Sequence, residues 1–171
     1  DRVSAAALRH AWSEVNTALT AAIEALPAEA WLERHEAVSA EEELSRVRPV
    51  IERLVEQHPA IPISIDTRKA DVAAAALDAG ATIVNDVSGG VDPKMFDVVR
   101  EREAALVLMH MKGDPKTMPE APRYDDVVGE VHEYLRQRIE AAELAGIAPD
   151  RIAVDPGIGF GKDLDQNLEL M

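Results

Sequence analysis

The sequence predicts an α/β fold in which short parallel strands alternate with helices. Apolar runs end on polar residues, helix-like segments separate these runs, and Gly80 and Gly146 stand where a helix C-terminus needs a left-handed residue. Three runs carry the pattern: Ile63-Ser64-Ile65-Asp66, Thr82-Ile83-Val84-Asn85 and Arg151-Ile152-Ala153-Val154-Asp155. Because the carboxyl ends of parallel strands meet at one edge of a sheet, the polar residues that end these runs should converge there.

The composition fits a single domain of this class. The chain has 171 residues, of which 47% are apolar and only 4% are aromatic, so its core must consist mainly of Ala, Val, Leu and Ile. A formal charge of −14 disfavours nucleic acid and anionic membranes as partners. The sequence has no cysteine, no apolar run long enough to span a bilayer and no signal peptide. We therefore expect a cytoplasmic protein.

The N-terminal part is predicted to be helical. Residues 4–26 form an amphipathic pattern with one narrow apolar face, which suits packing against another helix or a second copy of the chain. The larger apolar residues of this face are Leu8, Trp12, Val15, Leu19, Ile23 and Leu26. Pro27 ends the pattern, and residues 28–36 could form a second, short helix. We assign residues 1–36 to an N-terminal helical segment and residues 37–171 to the β/α domain.

The elements of the β/α domain follow in order. Ser39 and Glu42 have the spacing of a capping box, which predicts a helix over residues 40–57, with a kink or loosened turn at Pro49. Asp125 and Asp126 mark the start of a long helix whose charged residues form a solvated face. The predicted order from residue 61 is strand 62–66, helix 69–79, strand 82–87, helix 93–102, strand 105–110, loop 111–122, helix 125–145 and strand 151–155.

The candidate site residues each admit a structural interpretation. Asp66 could cap the following helix as readily as bind a ligand. Asn85 places an amide among apolar residues, so a neighbouring loop or a ligand must satisfy it. The glycine-rich segment 156–162 after Asp155 lacks the spacing of known phosphate-binding loops and could be only a tight turn. His110 has no second ligand at metal-binding spacing, which favours a hydrogen-bonded structural role.

Two carboxylates and an amide at adjoining strand ends suit a flat heterocycle with several N–H donors and acceptors. A carboxylate can accept two parallel N–H bonds, and an amide both donates and accepts. Such a pocket recognises hydrogen-bonding edges without much net charge. This chemistry is compatible with an acidic protein.

Four long segments closely resemble dihydropteroate synthases, in the same order and with similar spacing. The segments are Ile63-Ser64-Ile65-Asp66-Thr67, Ile83-Val84-Asn85-Asp86-Val87-Ser88-Gly89-Gly90, Leu108-Met109-His110-Met111-Lys112-Gly113-Asp114-Pro115-Lys116-Thr117-Met118 and Asp155-Pro156-Gly157-Ile158-Gly159-Phe160-Gly161-Lys162. The resemblance covers residues 37–171. It implies a TIM-type β/α barrel fold, here a partial barrel of about four parallel strands with an added N-terminal helical segment.

The resemblance also implies an activity and a set of site residues. The family joins 6-hydroxymethyl-7,8-dihydropterin pyrophosphate to p-aminobenzoate in folate biosynthesis, and sulfonamides compete with p-aminobenzoate. By similarity, Asp66, Asn85 and Asp155 would hydrogen-bond the pterin ring, and Met109 would line its pocket. Gly159 and Phe160 would lie near p-aminobenzoate.

Other parts of the family pattern have no match in this sequence. The family's magnesium-binding first strand and the Ser-Thr-Arg-Pro loop are absent, and so are the later strands that supply the catalytic lysine and arginine. We therefore assign no catalytic residue and no metal ligand, although the family uses Mg²⁺. The chain alone is expected to have little or no activity.

Two interpretations of the whole chain remain open at this stage. The first is a pterin-binding segment of a dihydropteroate synthase. The second is a non-catalytic half-barrel that binds pterins or associates with itself. Because an open four-stranded sheet has two unpaired edges, we also expect a homodimer.

Overall fold

A computed structural model describes residues 38–113 and 123–171. The predicted helices of residues 4–26 and 28–36 and most of the predicted loop 111–122 lie outside the described residues. The division of the chain at residues 36 and 37 therefore stays a prediction. All elements below belong to residues 38–171, which form one compact unit.

Four parallel strands form the sheet. They lie side by side in chain order, and each pairs with the next. Their bounds are β1 Ser64–Asp66, β2 Ile83–Asp86, β3 Ala105–Met109 and β4 Ile152–Asp155. Within the described residues the sheet is open, with β1 and β4 at its edges, as a partial β/α barrel requires. The predicted fold class is thus confirmed.

Helices precede β1, join the strands and follow β4. Their bounds are α1 Ala40–Gln57, α2 Ala70–Asp78, α3 Met95–Glu101, α4 Val127–Leu144 and α5 Leu164–Leu170. The Ser39 hydroxyl accepts the N–H of Glu42 at 3.1 Å and begins α1, which continues through Pro49. Gly80 and Gly146 have φ of +107° and +95° just after α2 and α4, as predicted. The sequence patterns did not predict α5, which is short and has no buried residues.

The main core lies between one face of the sheet and the helices. Strand residues Ile65, Val84, Leu106 and Leu108 alternate with residues that point to the other face. Helices α1 to α4 contribute Ile51, Ala73, Ala76, Met95, Val99 and Ala142. As predicted, small and aliphatic side chains dominate this core. No helix in the described part of the chain is long and apolar enough to cross a bilayer.

Candidate functional site

The sheet register places four predicted site residues on one face near the strand ends. Asp66 lies opposite Asn85 across β1 and β2. Met109 lies opposite Asp155 across β3 and β4. Asn85 also pairs with Val107, which is two residues before Met109, so both pairs point to the same side of the sheet. The two levels differ by roughly 7 Å along the strands, at about 3.3 Å per residue.

Asp66 and Asn85 contact each other directly. The Asn85 amide Nδ2 donates to Asp66 Oδ2 at 3.1 Å. Asn85 is half-buried and Asp66 is exposed, so the predicted burial of the Asn85 amide among apolar residues is only partial. The partner of that amide is thus the neighbouring strand β1, whereas the sequence predicted a loop or a ligand.

The capping interpretation of Asp66 is wrong. Two other side chains accept the backbone N–H groups at the start of α2. Asp92 Oδ2 accepts the N–H of Ala70 at 2.9 Å, and Thr67 Oγ1 accepts the N–H of Lys69 at 3.2 Å. Thr67 in turn donates to Glu43 of α1 at 2.6 Å. The Asp66 carboxylate therefore points from the strand end toward the open face, where a ligand can reach it.

Asp155 is anchored by the loop that follows it. Its Oδ1 accepts the backbone N–H of Gly157 at 2.7 Å, and the side chain is half-buried. Gly157 has φ of +69°, and a Cβ at this position would lie 2.0 Å from the carbonyl oxygen of His110. Only glycine allows the loop to pass so close to the end of β3. This close approach fixes the direction of the Asp155 carboxylate.

A buried carboxylate, Asp86, holds the loop after β2. Asp86 has no exposed surface and accepts the Ser88 N–H at 2.8 Å, the Ser88 hydroxyl at 2.6 Å and the Gly90 N–H at 2.9 Å. Asp86 is not among the site residues predicted from the sequence, although its neighbour Asn85 is. The available signal was a second polar residue inside an apolar strand, on the face that packs against the helices.

Helix α4 also contacts the loop after β2. The Tyr134 hydroxyl donates to the Ser88 carbonyl at 3.1 Å, and Arg138 donates from Nε to Gly89 at 2.5 Å and from Nη2 to Gly90 at 2.8 Å. The solvated face predicted for this helix does exist, with Arg136 paired to Glu133 and Glu140. The i, i+4 spacing of Tyr134 and Arg138 was the signal for a second, interacting face.

The loop after β4 contains Gly159 and Phe160, both of which are exposed. The Gly159 N–H donates to Asn167 Oδ1 at 2.8 Å, and the Phe160 N–H donates to the Gly157 carbonyl at 3.0 Å. This loop curls back on itself beside Asp155. The structure therefore places Gly159 and Phe160 next to the strand-end face, on a separate loop.

His110 packs against tyrosines at the end of β3. Its ring lies 5.0 Å from that of Tyr134 in an edge-on arrangement, and Nδ1 is buried without a hydrogen-bond partner among the described residues. Burial, with a further contribution from the positive charge of Lys162, lowers the pKa of His110 to about 4. His110 thus has a structural position packed between Tyr124 and Tyr134, with no hydrogen bond at Nδ1 among the described residues.

The strand-end face can form directed hydrogen bonds. It presents two carboxylates and an amide beside the apolar Met109 side chain, which suits an uncharged ring with polar edges. Among the described residues, no group of three or more His, Asp or Glu side chains could hold a metal ion. We assign no magnesium ligand in this chain and derive no step through that ion.

Comparison with known proteins identifies the family. The model of the pterin binding enzyme family matches residues 29–171. The chain is 43% identical over 137 residues to a dihydropteroate synthase from Synechocystis sp., a match that covers 80% of this chain and 47% of that protein.

Solved structures agree with this match. The chain is 51% identical, with a TM-score of 0.74, to Xanthomonas albilineans dihydropteroate synthase with 4-aminobenzoic acid, covering 81% of this chain and 48% of that one. It is 50% identical, with a TM-score of 0.71, to the same enzyme in complex with 7,8-dihydropteroate, covering 79% and 49%. The chain spans about half the length of the curated relatives it matches. With its parallel strands, its strand-end face and this match, the chain belongs to the pterin-binding enzyme family.

Proposed function

We propose that this chain forms the pterin-recognising part of a dihydropteroate synthase. That enzyme joins 6-hydroxymethyl-7,8-dihydropterin pyrophosphate to p-aminobenzoate, giving 7,8-dihydropteroate and pyrophosphate. The observation that carries the proposal is the shared face of Asp66, Asn85, Met109 and Asp155 at the carboxyl ends of three pairs of strands. The solved relatives that contain 4-aminobenzoic acid and 7,8-dihydropteroate support it.

Each proposed site residue has a role. The carboxylates of Asp66 and Asp155 would accept N–H bonds from the pterin ring, the Asn85 amide would donate and accept, and Met109 would contact the ring itself. Asn85 and Asp66 already share one hydrogen bond, so the pair is oriented before a ligand arrives. Gly159 and Phe160 would lie on the p-aminobenzoate side.

We expect this chain to bind a pterin more readily than it catalyses the condensation. Departure of pyrophosphate requires positive charge close to the phosphate groups, because charge develops there as the bond to the pterin methylene carbon breaks. Lys162 is the buried cation of the described residues, and it donates to backbone carbonyls rather than into the open face. We therefore propose pterin binding with little condensation.

The test is a titration with pterin-6-carboxylic acid, followed by pterin fluorescence. Asp155→Asn keeps an oxygen that can accept from Gly157 and loses the charge and one acceptor. We expect the dissociation constant to rise about 10- to 100-fold, which corresponds to roughly 1.4–2.8 kcal/mol. Asp150→Asn, the same change at the other end of β4, is the matched control and should leave the affinity unchanged.

Two results would contradict the proposal. Equal affinities of wild type and Asp155→Asn would remove Asp155 from the site. Pyrophosphate release at the rate of a complete synthase, with both substrates present, would contradict the expected lack of turnover.

The half-barrel alternative makes a different prediction. Apolar side chains of β4 and α5 are exposed in the described part of the chain, including Val154 at 45%, Leu164 at 74% and Leu168 at 57%. Such exposure favours self-association, so we also propose a homodimer. Sedimentation velocity should give a mass of two chains, and a monomer at all concentrations would contradict it.

A further inference from the structure

The Lys162 ammonium group is enclosed by backbone carbonyls. The residue is only 8% exposed, although lysine is rarely buried. Its Nζ donates to the carbonyl of Gly157 at 2.8 Å, of Phe160 at 3.0 Å and of His110 at 3.4 Å. A lysine ammonium has three N–H donors, and three carbonyl oxygens surround it.

These carbonyls come from two different elements. Gly157 and Phe160 belong to the loop between β4 and α5, whereas His110 follows the last residue of β3. Lys162 thereby joins the loop to the neighbouring strand, 52 residues earlier in the chain. It also closes the loop on itself, because two of its acceptors are only five and two residues away.

Other bonds hold this loop at separate points. The Tyr124 hydroxyl donates to the Gly161 carbonyl at 3.0 Å, and Asp155 accepts the Gly157 N–H at 2.7 Å. Gly159 contacts Asn167 of α5. Within the loop the Phe160 N–H donates to the Gly157 carbonyl at 3.0 Å. Lys162 adds a cation that joins the carbonyls of Gly157 and Phe160 to the end of β3, so it supports the curl that presents Gly159 and Phe160.

A direct role for Lys162 in substrate binding disagrees with this geometry. A cation that binds a phosphate or a carboxylate must direct at least one donor into the site. The three donors of Lys162 match three carbonyls, and its side chain is almost fully buried. Burial also lowers the pKa of Lys162 to about 8, with the Asp155 charge acting in the opposite direction, so the ammonium form predominates at neutral pH.

We propose that Lys162 is a positioning residue that holds Gly159 and Phe160 against the end of β3 and so sets the affinity for p-aminobenzoate more than for the pterin. The inference rests on the proposed function. The pterin-side residues Asp66, Asn85 and Met109 lie on strands that the sheet already holds in place, so they depend less on this loop. The proposed p-aminobenzoate residues Gly159 and Phe160, by contrast, lie on this loop between β4 and α5.

The absence of cysteine from the chain allows a chemical test. Lys162→Cys introduces a single thiol, which is alkylated in denaturant before refolding. Reaction with 2-bromoethylamine, in which the thiolate displaces bromide, restores an ammonium at the length of lysine. Reaction with iodoacetamide, which displaces iodide, gives a neutral side chain at the same position. Tyr124→Phe is the matched control, because it removes another tie of the same loop and keeps the ammonium.

Three properties are compared between the two adducts and wild type. They are amide hydrogen exchange of residues 156–162, affinity for pterin-6-carboxylic acid, and affinity for p-aminobenzoate at saturating pterin-6-carboxylic acid. For the neutral adduct we expect the rate of amide hydrogen exchange in the loop and the dissociation constant of p-aminobenzoate to rise about 10-fold or more. The dissociation constant of pterin-6-carboxylic acid should stay within about 3-fold of wild type. The ammonium adduct should restore all three values, and Tyr124→Phe should change p-aminobenzoate affinity less than the neutral adduct does.

Several outcomes would overturn the inference. Equal exchange and affinities for the two adducts would show that the charge does not hold the loop. Equal losses of pterin and p-aminobenzoate affinity would indicate a general structural role. If the neutral adduct does not refold, Lys162→Gln, which keeps two donors, must show the same selective loss or the inference fails. If wild type binds no pterin, the proposed function and the affinity part of the inference both fail, while hydrogen exchange still decides whether Lys162 holds the loop.

Discussion

The loops after β2 and β4 both border the strand-end face, yet buried side chains of opposite charge hold them. Asp86 accepts two backbone N–H groups and a hydroxyl, and Lys162 is surrounded by three backbone carbonyls. The direction in which the backbone turns explains the difference. Where amides point inward a carboxylate satisfies them, and where carbonyls point inward an ammonium does.

The two loops also differ in their outer supports. Helix α4 holds the β2 loop through Tyr134 and Arg138, whereas the β4 loop lies against the end of β3 and is tied to Tyr124 and α5. The β2 loop directly follows Asn85, on the proposed pterin side. The β4 loop carries Gly159 and Phe160, on the proposed p-aminobenzoate side. Changes confined to one loop should therefore affect one proposed substrate more than the other.

The largest expected effect is the loss of the buried carboxylate in the β2 loop. Asp86→Ala leaves two buried N–H groups and a hydroxyl without their acceptor, and the free energy of unfolding should fall by about 3–5 kcal/mol. Urea denaturation measures this change. Asp97→Ala, which removes an exposed carboxylate of α3, should cost less than about 0.5 kcal/mol. Similar losses in the two variants would mean that Asp86 does not organise the loop.

The close approach of the β4 loop to β3 makes a second prediction. A Cβ at Gly157 would meet the His110 carbonyl, whereas a Cβ at Gly159 would meet nothing within 4 Å. Both residues have positive φ, so both changes to alanine carry a backbone penalty of about 1–2 kcal/mol. Gly157→Ala should cost roughly 1–3 kcal/mol more than Gly159→Ala in urea denaturation, because of the added clash. Equal losses of unfolding free energy in the two variants would contradict the close approach of Gly157 to the His110 carbonyl.

Acid should lower the stability of the fold through His110, which follows β3 and lies beside the β4 loop. The pKa of His110 is about 4 in the folded protein, below its ordinary value of 6.5. Between these two pH values the folded state therefore binds fewer protons than the unfolded state. The contribution of His110 to stability is therefore fully present above pH 6.5 and is lost as the pH falls toward 4. A positive charge on the ring would also repel the nearby Lys162.

The measurement is the thermal midpoint between pH 7 and pH 4.5. The fall in the thermal midpoint as the pH is lowered should be smaller in His110→Asn than in wild type, because asparagine does not titrate in this range. The same substitution at the exposed His132 of α4 is the control and should leave the decline unchanged. Identical declines in wild type and His110→Asn would contradict the assigned pKa.

Local patterns predicted the elements well. A run such as Thr82-Ile83-Val84-Asn85 shows in a few residues that a strand ends on a polar group, and β2 covers Ile83–Asp86. The signals of Gly80 after α2 and Gly146 after α4 are equally local, because each glycine allows the left-handed turn at one helix end. Short α5 was not predicted, although Asp163 and Gln166 have the spacing of a capping box and Leu164 and Leu168 have the i, i+4 spacing of a helix face.

The supporting residues of the site were harder to predict. The sequence favours a cap role and a ligand role for Asp66 equally, and only the structure shows Asp92 and Thr67 acting at the start of α2. Asp92 caps a helix that begins 22 residues before it, and no local pattern records such a contact. In the sequence Lys162 is only the last residue of a glycine-rich segment, and its contact with the His110 carbonyl exists only in the folded chain.

By itself, the sequence determined that strands and helices alternate, that the polar residues Asp66, Asn85 and Asp155 lie at or near strand ends, and that four of its segments resemble one family. Each of these properties depends on residue type and short-range spacing, which a linear chain displays directly. The tertiary structure decided which polar groups support the site, because a buried charge is stable only where distant backbone groups converge on it. Asp86 and Lys162 acquire their roles from that convergence.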